Sequence, residues 1–263
     1  MNNVNKTLYI PLFGKAYVSR KGIILEDRKA EAIWASEAFP IKGKSGSKWL
    51  AYYMGMRAAV FDRWLRGRMD ADPSAVILHL GCGLDSRCLR VGTRGHLWFD
   101  VDFPDVIRER KRYYAENPEY KMLGADVRSS QWLAQVSGGN AIVVLEGISM
   151  YLTPRELVGM LKEIGDRFGS VRVLMDCYTE FAARASKYKN PIRDVGVTQV
   201  YGLDDPGILE ASGLSFIKEH EITPAALVSE LRGMEKGIFR WVYAGGIARK
   251  LYRLYEYRGG TEL

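Results

Sequence analysis

The sequence predicts an α/β fold built on a mostly parallel sheet, and two apolar runs joined through a glycine turn lead to this prediction. Residues 75–80 form a short apolar run with β-branched side chains that ends at Gly81, Cys82 and Gly83. About one helix's length later, residues 97–102 form a second apolar run that ends in acidic side chains. The order is therefore strand, glycine turn, helix and strand. An apolar content of 47% suffices for one such domain with a large core and an added lobe.

Periodic patterns extend this prediction along the rest of the chain. Helical periodicity is present before the first strand, at residues 26–38 and 48–69. Further strands are predicted at residues 120–123, 141–145, 171–175 and 214–221, and further helices at residues 105–115, 155–168 and 206–212. A last helix is predicted at about residues 235–257, with a break at Gly245 and Gly246 and with Trp241 and several tyrosines as core and rim packing. Only residues 258–263 then remain for a seventh strand, and Gly259 and Gly260 make that strand a poor one.

The glycine turn and the acids Asp100 and Asp102 form one candidate ligand site. The carboxyl ends of adjacent parallel strands form a crevice for a ligand, and glycines such as Gly81 and Gly83 let the backbone approach it. A carboxylate at the end of the second strand can accept hydrogen bonds from the two hydroxyls of a ribose. The pattern predicts a nucleoside-binding site, and a tight structural turn is the alternative.

The glycine spacing separates two classes of nucleoside cofactor. A dinucleotide fold requires G-x-G-x-x-G at a helix N-terminus, where the helix dipole holds a pyrophosphate. Here Ser86 stands where the third glycine would be, which disfavours a nicotinamide dehydrogenase. S-adenosylmethionine has no phosphate, so a shorter G-x-G turn suffices. The spacing therefore favours S-adenosyl-L-methionine as the cofactor.

Two motifs resemble the signatures of a known family. Residues 80–87 read LGCGLDSR and residues 99–104 read FDVDFP, which resembles the LG-x-G-x-D-[ST]-[RT] and [EWY]-x-VD-[FL]-P pattern of the leucine carboxyl methyltransferase family. The proline directly behind the ribose carboxylate is the specific element. The chain most resembles the bacterial tetracenomycin-type O-methyltransferases of that family, and the similarity becomes weaker after Tyr178. Three other segments before that point, residues 10–16, 24–27 and 145–152, also resemble the family.

The resemblance implies a fold and a reaction. The fold is the class I S-adenosylmethionine-dependent methyltransferase fold, which is Rossmann-like with a mostly parallel seven-stranded sheet, a helical N-terminal extension and a lid insertion. Residues 1–70 would form a helical lobe over the cofactor, and residues 71–263 the methyltransferase domain, with a lid and substrate segment at about 177–205. The implied reaction is O-methylation of a carboxylate or phenolic hydroxyl of a small, polyketide-type molecule.

An arginine and a lysine in the N-terminal lobe are further candidates for the site. Arg57 lies near the apolar face of the helix predicted at 48–69, and a guanidinium can hold a carboxylate through two parallel hydrogen bonds. By resemblance, Arg57 would hold the methionyl carboxylate of the cofactor; the alternative is an arginine that extends to solvent. Lys15 is a candidate for the same cofactor wall or for the substrate entrance.

Acidic residues also follow the third and fourth predicted strands. Asp126 and Val127 are candidates to bind adenine, through the carboxylate and a backbone N–H; a cap on a helix that begins near Ser129 is the alternative role of Asp126. Glu146 directly follows a fully apolar strand, where burial of an unpaired charge is costly, so it points to the cofactor's ammonium or sulfonium. Tyr151 could line the substrate pocket, and core packing is its alternative role.

Composition excludes several classes of protein. The first residues lack the apolar core of a signal peptide, and the chain has no apolar run of the ~20 residues that span a bilayer, so we expect a cytoplasmic protein without a membrane partner. The three cysteines form no C-x-x-C pair and the three histidines have no ligand spacing, so neither a disulfide nor a metal site is expected.

The net charge of +7 is unevenly distributed. Residues 1–70 hold 13 Lys/Arg against 6 Asp/Glu, residues 71–224 hold 18 against 21, and residues 225–263 hold 7 against 4. The excess basic residues therefore lie outside the predicted cofactor domain. Attraction of an anionic substrate is one interpretation, but acids are interspersed among the basic residues, which favours a solvated surface without a nucleic-acid partner.

The acceptor is predicted from the chemistry of methyl transfer. A carboxylate is ionised at neutral pH and needs no general base, whereas a phenol does, and the sequence assigns no histidine to the site. This favours a carboxylate of a small molecule. Three alternatives are a protein C-terminal carboxylate, an RNA acceptor, and a non-catalytic module that binds the cofactor without turnover.

Overall fold

The sheet has seven strands within the part of the chain that the computed structural model describes, which is residues 8–37, 39, 41, 43–189 and 199–260. The strands are β1 (Val76–Leu80), β2 (Trp98–Asp102), β3 (Tyr120–Gly124), β4 (Asn140–Leu145), β5 (Ser170–Tyr178), β6 (Ser215–Glu219) and β7 (Tyr252–Gly260). Their order is β3-β2-β1-β4-β5-β7-β6. The first five strands pair in parallel, and β7 runs antiparallel to both β5 and β6. This confirms the predicted α/β fold with a mostly parallel seven-stranded sheet.

Helices precede the sheet and connect its strands. They are α1 (Tyr9–Arg20), α2 (Arg28–Ser36), α3 (Lys48–Ala71), α4 (Arg87–Val91), α5 (Pro104–Arg110), α6 (Pro154–Arg167), α7 (Glu180–Lys189), α8 (Ala225–Ser229), α9 (Gly233–Val242) and α10 (Gly246–Leu251). None of the described helices is long and apolar enough to cross a membrane. The start of α6 is fixed by a capping box, because Thr153 and Glu156 each accept a hydrogen bond from the other's backbone N–H.

The sheet has an apolar core on each face. In β4, Ile142 and Val144 pack with residues of α1 to α3, whereas Val143 and Leu145 pack with residues of α6. This alternation explains the uninterrupted apolar run of β4, since a strand covered on both faces has no polar side. The N-terminal helices therefore form the layer on one face of the sheet.

The end of the chain differs from the prediction. The predicted break at Gly245 and Gly246 separates α9 from α10, but the extension of the helix to residue 257 was wrong, because the tyrosine-rich segment after α10 is β7, between β5 and β6. Gly259 and Gly260 belong in this strand because a Cβ at the first would collide with Leu214 and a Cβ at the second with the Gly169 carbonyl. Trp241 is 82% exposed and is not a core residue.

Other elements also differ from the prediction. The helix α1 was not predicted from periodicity. The helix expected near Ser129 is a 3-10 turn, Ser130–Gln135, and β5 continues past Met175 so that Asp176 lies within the strand. Of the segment assigned to the lid, residues 190–198 lie outside the described residues.

Candidate active site

A cavity of about 740 Å³ lies where the parallel strands end. Its volume is within the ~300–1,000 Å³ range of small-molecule sites, and the carboxyl ends of β1, β2 and β4 form its floor. The predicted site residues that line it are Lys15, Arg57, Gly81, Gly83, Asp102, Asp126, Val127, Glu146 and Tyr151. The structure therefore brings together residues from distant parts of the sequence.

The glycine turn after β1 is fixed to the end of β2. Gly81 and Gly83 have φ angles of 67° and 51°, in the left-handed region that favours glycine. A Cβ on Gly81 would also lie 2.6 Å from Cδ1 of Ile148. The Asp102 carboxylate accepts hydrogen bonds from the backbone N–H groups of Gly83, at 2.8 Å, and Phe103, at 2.7 Å. Burial raises the pKa of the Asp102 carboxyl above its ordinary value, and these two hydrogen bonds oppose the rise.

Asp100 does not line the cavity, which corrects its assignment as a cofactor ligand. It is completely buried, and its carboxylate accepts hydrogen bonds from Trp98, Tyr120 and Arg110 and contacts His79 at 2.9 Å. Although burial opposes ionisation, the Arg110 guanidinium and the His79 hydrogen bond hold the pKa of the Asp100 carboxyl at about 2. Asp100 lies two residues, or ~7 Å, before the end of its strand, so its side chain is below the cavity floor.

His79 lines the cavity, although no histidine was assigned to the site from the sequence. Its Nδ1 lies 2.9 Å from Asp100, and its Nε2 lies 3.2 Å from a guanidinium nitrogen of Arg87. Because a guanidinium only donates, Nε2 accepts and Nδ1 carries the proton that is donated to Asp100. Both ring nitrogens are therefore engaged, and His79 offers no free base to a bound acceptor.

Arg57 is buried beneath the cavity wall, so the alternative of an arginine that extends to solvent is wrong. Its Nε donates to Glu146 Oε1 at 3.1 Å, and its Nη1 donates to Asp176 Oδ2 at 2.6 Å. The second oxygen of Glu146 accepts from Arg87. Burial opposes ionisation of Glu146, but Arg87 and Arg57 hold the pKa of its carboxyl at about 2. The Glu146 charge is thus compensated by two guanidinium groups.

Asp176 and Asp85 are site residues that the sequence analysis did not identify. Burial raises the pKa of the Asp176 carboxyl above its ordinary value, even though Arg57 opposes that rise. Asp85 lines the cavity and forms an ion pair with the ammonium of Lys15, at 3.1 Å. The signal that could have found Asp176 is the one used for Glu146, an acid at the carboxyl end of an apolar strand run.

Buried ion pairs join the N-terminal helices to the segment after the glycine turn. Arg90 bridges three carboxylates, those of Asp27 at 2.6 Å, Asp62 at 2.7 Å and Asp85 at 2.7 Å. Arg87 donates to Asp62 at 2.7 Å. Because these side chains are largely excluded from water, loss of one partner would leave an unpaired buried charge, which is strongly destabilising. The network therefore holds α2 and α3 against the segment that follows the glycine turn.

Asp126 lies at another part of the cavity wall. Its carboxylate accepts hydrogen bonds from the Arg128 backbone N–H at 3.0 Å and from the Arg128 guanidinium, which lowers the pKa of the Asp126 carboxyl. The side chain forms no cap on the 3-10 turn that follows, so the capping alternative is wrong. Val127, next to it, is buried and lines the cavity.

Apolar and aromatic side chains surround the remaining part of the cavity. Tyr178 and Tyr252 pack edge to face with ring centroids 4.6 Å apart, and Tyr151 is half-buried in the wall near them. The apolar lining also includes Met54, Met150, Ala182 and Leu251. The cavity therefore combines a charged part at the strand ends with an apolar part that could receive a second ligand.

Solved structures and sequence relatives agree with this architecture. Magnesium protoporphyrin IX methyltransferase from Synechocystis PCC 6803, solved with bound S-adenosylhomocysteine, matches with a TM-score of 0.51 at 13% identity, over 97% of this chain and 100% of that chain. The tetracenomycin polyketide synthesis O-methyltransferase TcmP of Streptomyces glaucescens is 35% identical over 193 residues, which covers 72% of this chain and 70% of that protein.

A fungal relative and a family model complete the comparison. The S-adenosyl-L-methionine-dependent methyltransferase dpfgK of Gibberella zeae is 28% identical over 225 residues, which covers 77% of this chain and 76% of that protein. The family model of the leucine carboxyl methyltransferases matches residues 8–165. The chain is an S-adenosylmethionine-dependent O-methyltransferase, and it belongs to the leucine carboxyl methyltransferase family.

Proposed function

We propose that this enzyme methylates the carboxylate of a small, largely apolar molecule. The observation that carries the proposal is the division of one cavity into a charged part at the strand ends and an apolar, aromatic part around Tyr151, Tyr178 and Tyr252. The charged part suits the cofactor, and the apolar part suits the body of an acceptor. S-adenosylmethionine and an acceptor could thus meet within one cavity.

The proposed cofactor seat uses the residues of the charged part. Asp102 would accept hydrogen bonds from the ribose hydroxyls. Asp126 and the backbone of Val127 would bind adenine, and Glu146 would lie near the ammonium of the cofactor. Lys15 would form the adjoining wall. These roles fit the donor set, since carboxylates would meet hydroxyl, amino and ammonium groups.

Arg57 is proposed to hold the methionyl carboxylate. Its Nη2 nitrogen forms no hydrogen bond within the described part of the chain, although Nε and Nη1 are both engaged. Nη2 faces Gly147, where an added Cβ would lie 3.4 Å away. Because Gly147 has no side chain, the Nη2 donor of Arg57 has room beside it to donate to a carboxylate ligand.

The chain's own residues would act mainly through proximity and orientation. The bound cofactor supplies an activated sulfonium methyl group. Arg57 and Asp102 would hold it on either side of the sulfonium, while the apolar wall would exclude water from the acceptor oxygen. His79, which lines the cavity, has both ring nitrogens engaged and supplies no base there. A carboxylate acceptor, which is already ionised, needs none.

The N-terminal lobe, residues 1–70, is proposed to cover the cofactor. Leu12 and Lys15 of α1 and Met54 and Arg57 of α3 line the cavity, which supports this role. Residues of α7, together with Gln199 and Tyr201, line the acceptor side, which supports a substrate segment at about 177–205.

Transfer of a labelled methyl group to matched acceptors tests the proposal. The panel pairs aromatic acids with phenols of the same skeleton, and includes peptides with free C-termini and an RNA. We expect label in the acids only, as esters that release methanol in alkali, at a rate that does not rise between about pH 6 and 9. Alkali-stable label in the phenols, or transfer to peptide or RNA alone, would contradict the proposal.

A further inference from the structure

Asp176 links two parts of the proposed cofactor site from below. It lies on β5, completely buried, beside the loop that follows β4. Its Oδ1 accepts a hydrogen bond from the backbone N–H of Gly147, at 2.7 Å, and its Oδ2 accepts one from Nη1 of Arg57, at 2.6 Å. One carboxylate therefore fixes a side chain of α3 and the backbone of the loop after β4 relative to each other.

This link determines where the remaining donor of Arg57 lies. An arginine side chain is long, with ~2 kcal/mol of rotamer entropy, so its planar group needs support at more than one edge to keep one orientation. Glu146 supports Nε, and Asp176 supports Nη1. With both in place, Nη2 is held next to Gly147, which has a φ of 75° and presents no side chain.

Asp176 does not line the cavity, so a direct contact with the cofactor does not explain its place. Simple neutralisation of Arg57 does not explain it either, because Glu146 already pairs with that guanidinium. The feature specific to Asp176 is that its two oxygens have different partners on different elements. Asp176 therefore fixes the relative positions of Arg57 and Gly147, in addition to supplying a negative charge.

We propose that Asp176 is a positioning residue for cofactor binding, which holds Arg57 and the Gly147 loop so that Nη2 faces the cofactor's carboxylate. The proposal rests on the proposed role of Arg57. An asparagine at this position could still accept the Gly147 N–H through its amide oxygen. Its NH2 group would face the Arg57 donors, however, so the hydrogen bond to Arg57 would be lost while the loop contact is kept.

A double-mutant cycle with S-adenosylhomocysteine as the probe tests this role. The titrations use the wild-type chain, Asp176→Asn, Arg57→Ala and the double variant, with melting temperatures measured for each. We expect Asp176→Asn to weaken binding about tenfold, a coupling within the range for residues in one hydrogen-bond network. We expect it to have no further effect when Arg57 is already alanine, because Asp176 acts through that residue.

Ser149→Ala is the matched control. The Ser149 hydroxyl donates to the backbone carbonyl of Asp176, so this change perturbs the same buried place without touching the carboxylate. We expect it to leave the affinity for S-adenosylhomocysteine unchanged. A loss as large as that of Asp176→Asn would show that any local disturbance weakens binding, and would overturn the proposal.

The two proposals fail in distinguishable ways. If Arg57→Ala binds like the wild-type chain, the proposed role of Arg57 is wrong. If Arg57→Ala weakens binding but Asp176→Asn does not, or if the two effects add fully, only the positioning role is wrong. Should Asp176→Asn fail to fold, Asp176→Glu takes its place in the same cycle, because the added methylene displaces the carboxylate from Arg57. Wild-type affinity in that variant would overturn the proposal.

Discussion

The Asp102 carboxylate accepts the backbone N–H of Gly83 at 2.8 Å, so the end of β2 and the glycine turn after β1 form one rigid unit. Asp102 borders the cavity, whereas Asp100, two residues earlier, is enclosed by four donors beneath it. The same strand thus carries one acid available to a ligand and one that holds the fold together.

Substitution of Asp102 should mainly weaken ligand binding, whereas substitution of Asp100 should mainly lower the stability of the fold. Asp102→Ala should weaken S-adenosylhomocysteine binding by about tenfold to a hundredfold, since hydrogen bonds to charged groups contribute ~1.5–3 kcal/mol. Asp100→Asn should instead lower the free energy of unfolding by ~3 kcal/mol, because it leaves the buried Arg110 without its partner. Calorimetric titration and urea unfolding of both variants measure the two effects. The reverse pattern would show that Asp100 is the ligand-binding acid.

Gly81→Ala should cost more stability than Gly95→Ala. Both glycines have positive φ angles, 67° and 86°, so each substitution carries the ~1–2 kcal/mol cost of a left-handed alanine. Only at Gly81 would the new Cβ also meet a neighbour, Ile148, since nothing lies within 4 Å at Gly95. We expect a further loss of ~1–3 kcal/mol at Gly81, typical of overpacking. Equal losses in urea unfolding would refute the steric argument.

Acid should destabilise the protein through Glu146. Its pKa is lowered from 4.5 to about 2, so the folded state binds the proton less readily than the unfolded chain. The stabilisation is therefore present above the unfolded pKa and is lost as pH falls from about 5 towards 2. Glu146→Gln should reduce the slope of unfolding free energy against pH in that window. An unchanged slope would show that the two guanidinium groups do not stabilise the Glu146 charge.

Substitutions at Phe239 and Trp241 test the structure of the C-terminal segment, which differs from the prediction. Phe239 is fully buried, so Phe239→Ala should cost ~3–5 kcal/mol. Trp241 is largely exposed, so Trp241→Ala should change the free energy of unfolding by less than ~0.5 kcal/mol. A large loss from Trp241→Ala in thermal or urea unfolding would restore the core role predicted from the sequence.

The parallel half of the sheet was predictable because its signals are local. Each of β1 to β4 is a short apolar run that ends in glycine or an acid, and the structure confirms all four. Helix α1 has no such clear signal, since Pro11 and Gly14 interrupt its pattern. Pro11 lies in the first turn, where it costs no hydrogen bond, and a Cβ on Gly14 would lie 2.6 Å from Met54 Cβ. The glycine at position 14 is therefore explained by close packing against α3, which the sequence of α1 does not show.

The limits of prediction at the site have a similar cause. Asp100 and Asp102 are equivalent by sequence pattern, and only the depth of each below the strand end separates them. The link between Asp176 and Arg57 joins residues 119 positions apart, which no local spacing encodes. Asp176 therefore carries the same local signal as Glu146, but its pairing with Arg57 was not predictable from that signal.

The most direct test compares two ligands in two variants. S-adenosylhomocysteine carries the methionyl carboxylate and ammonium, whereas methylthioadenosine lacks both but keeps the adenine and ribose. Arg57→Ala should weaken the first ligand by about a hundredfold, as loss of a buried charge partner costs ~2–5 kcal/mol, and leave the second unchanged. Asp102→Ala should weaken both ligands. If Arg57→Ala weakened both equally, or neither, the proposed orientation of the cofactor in this cavity would be wrong.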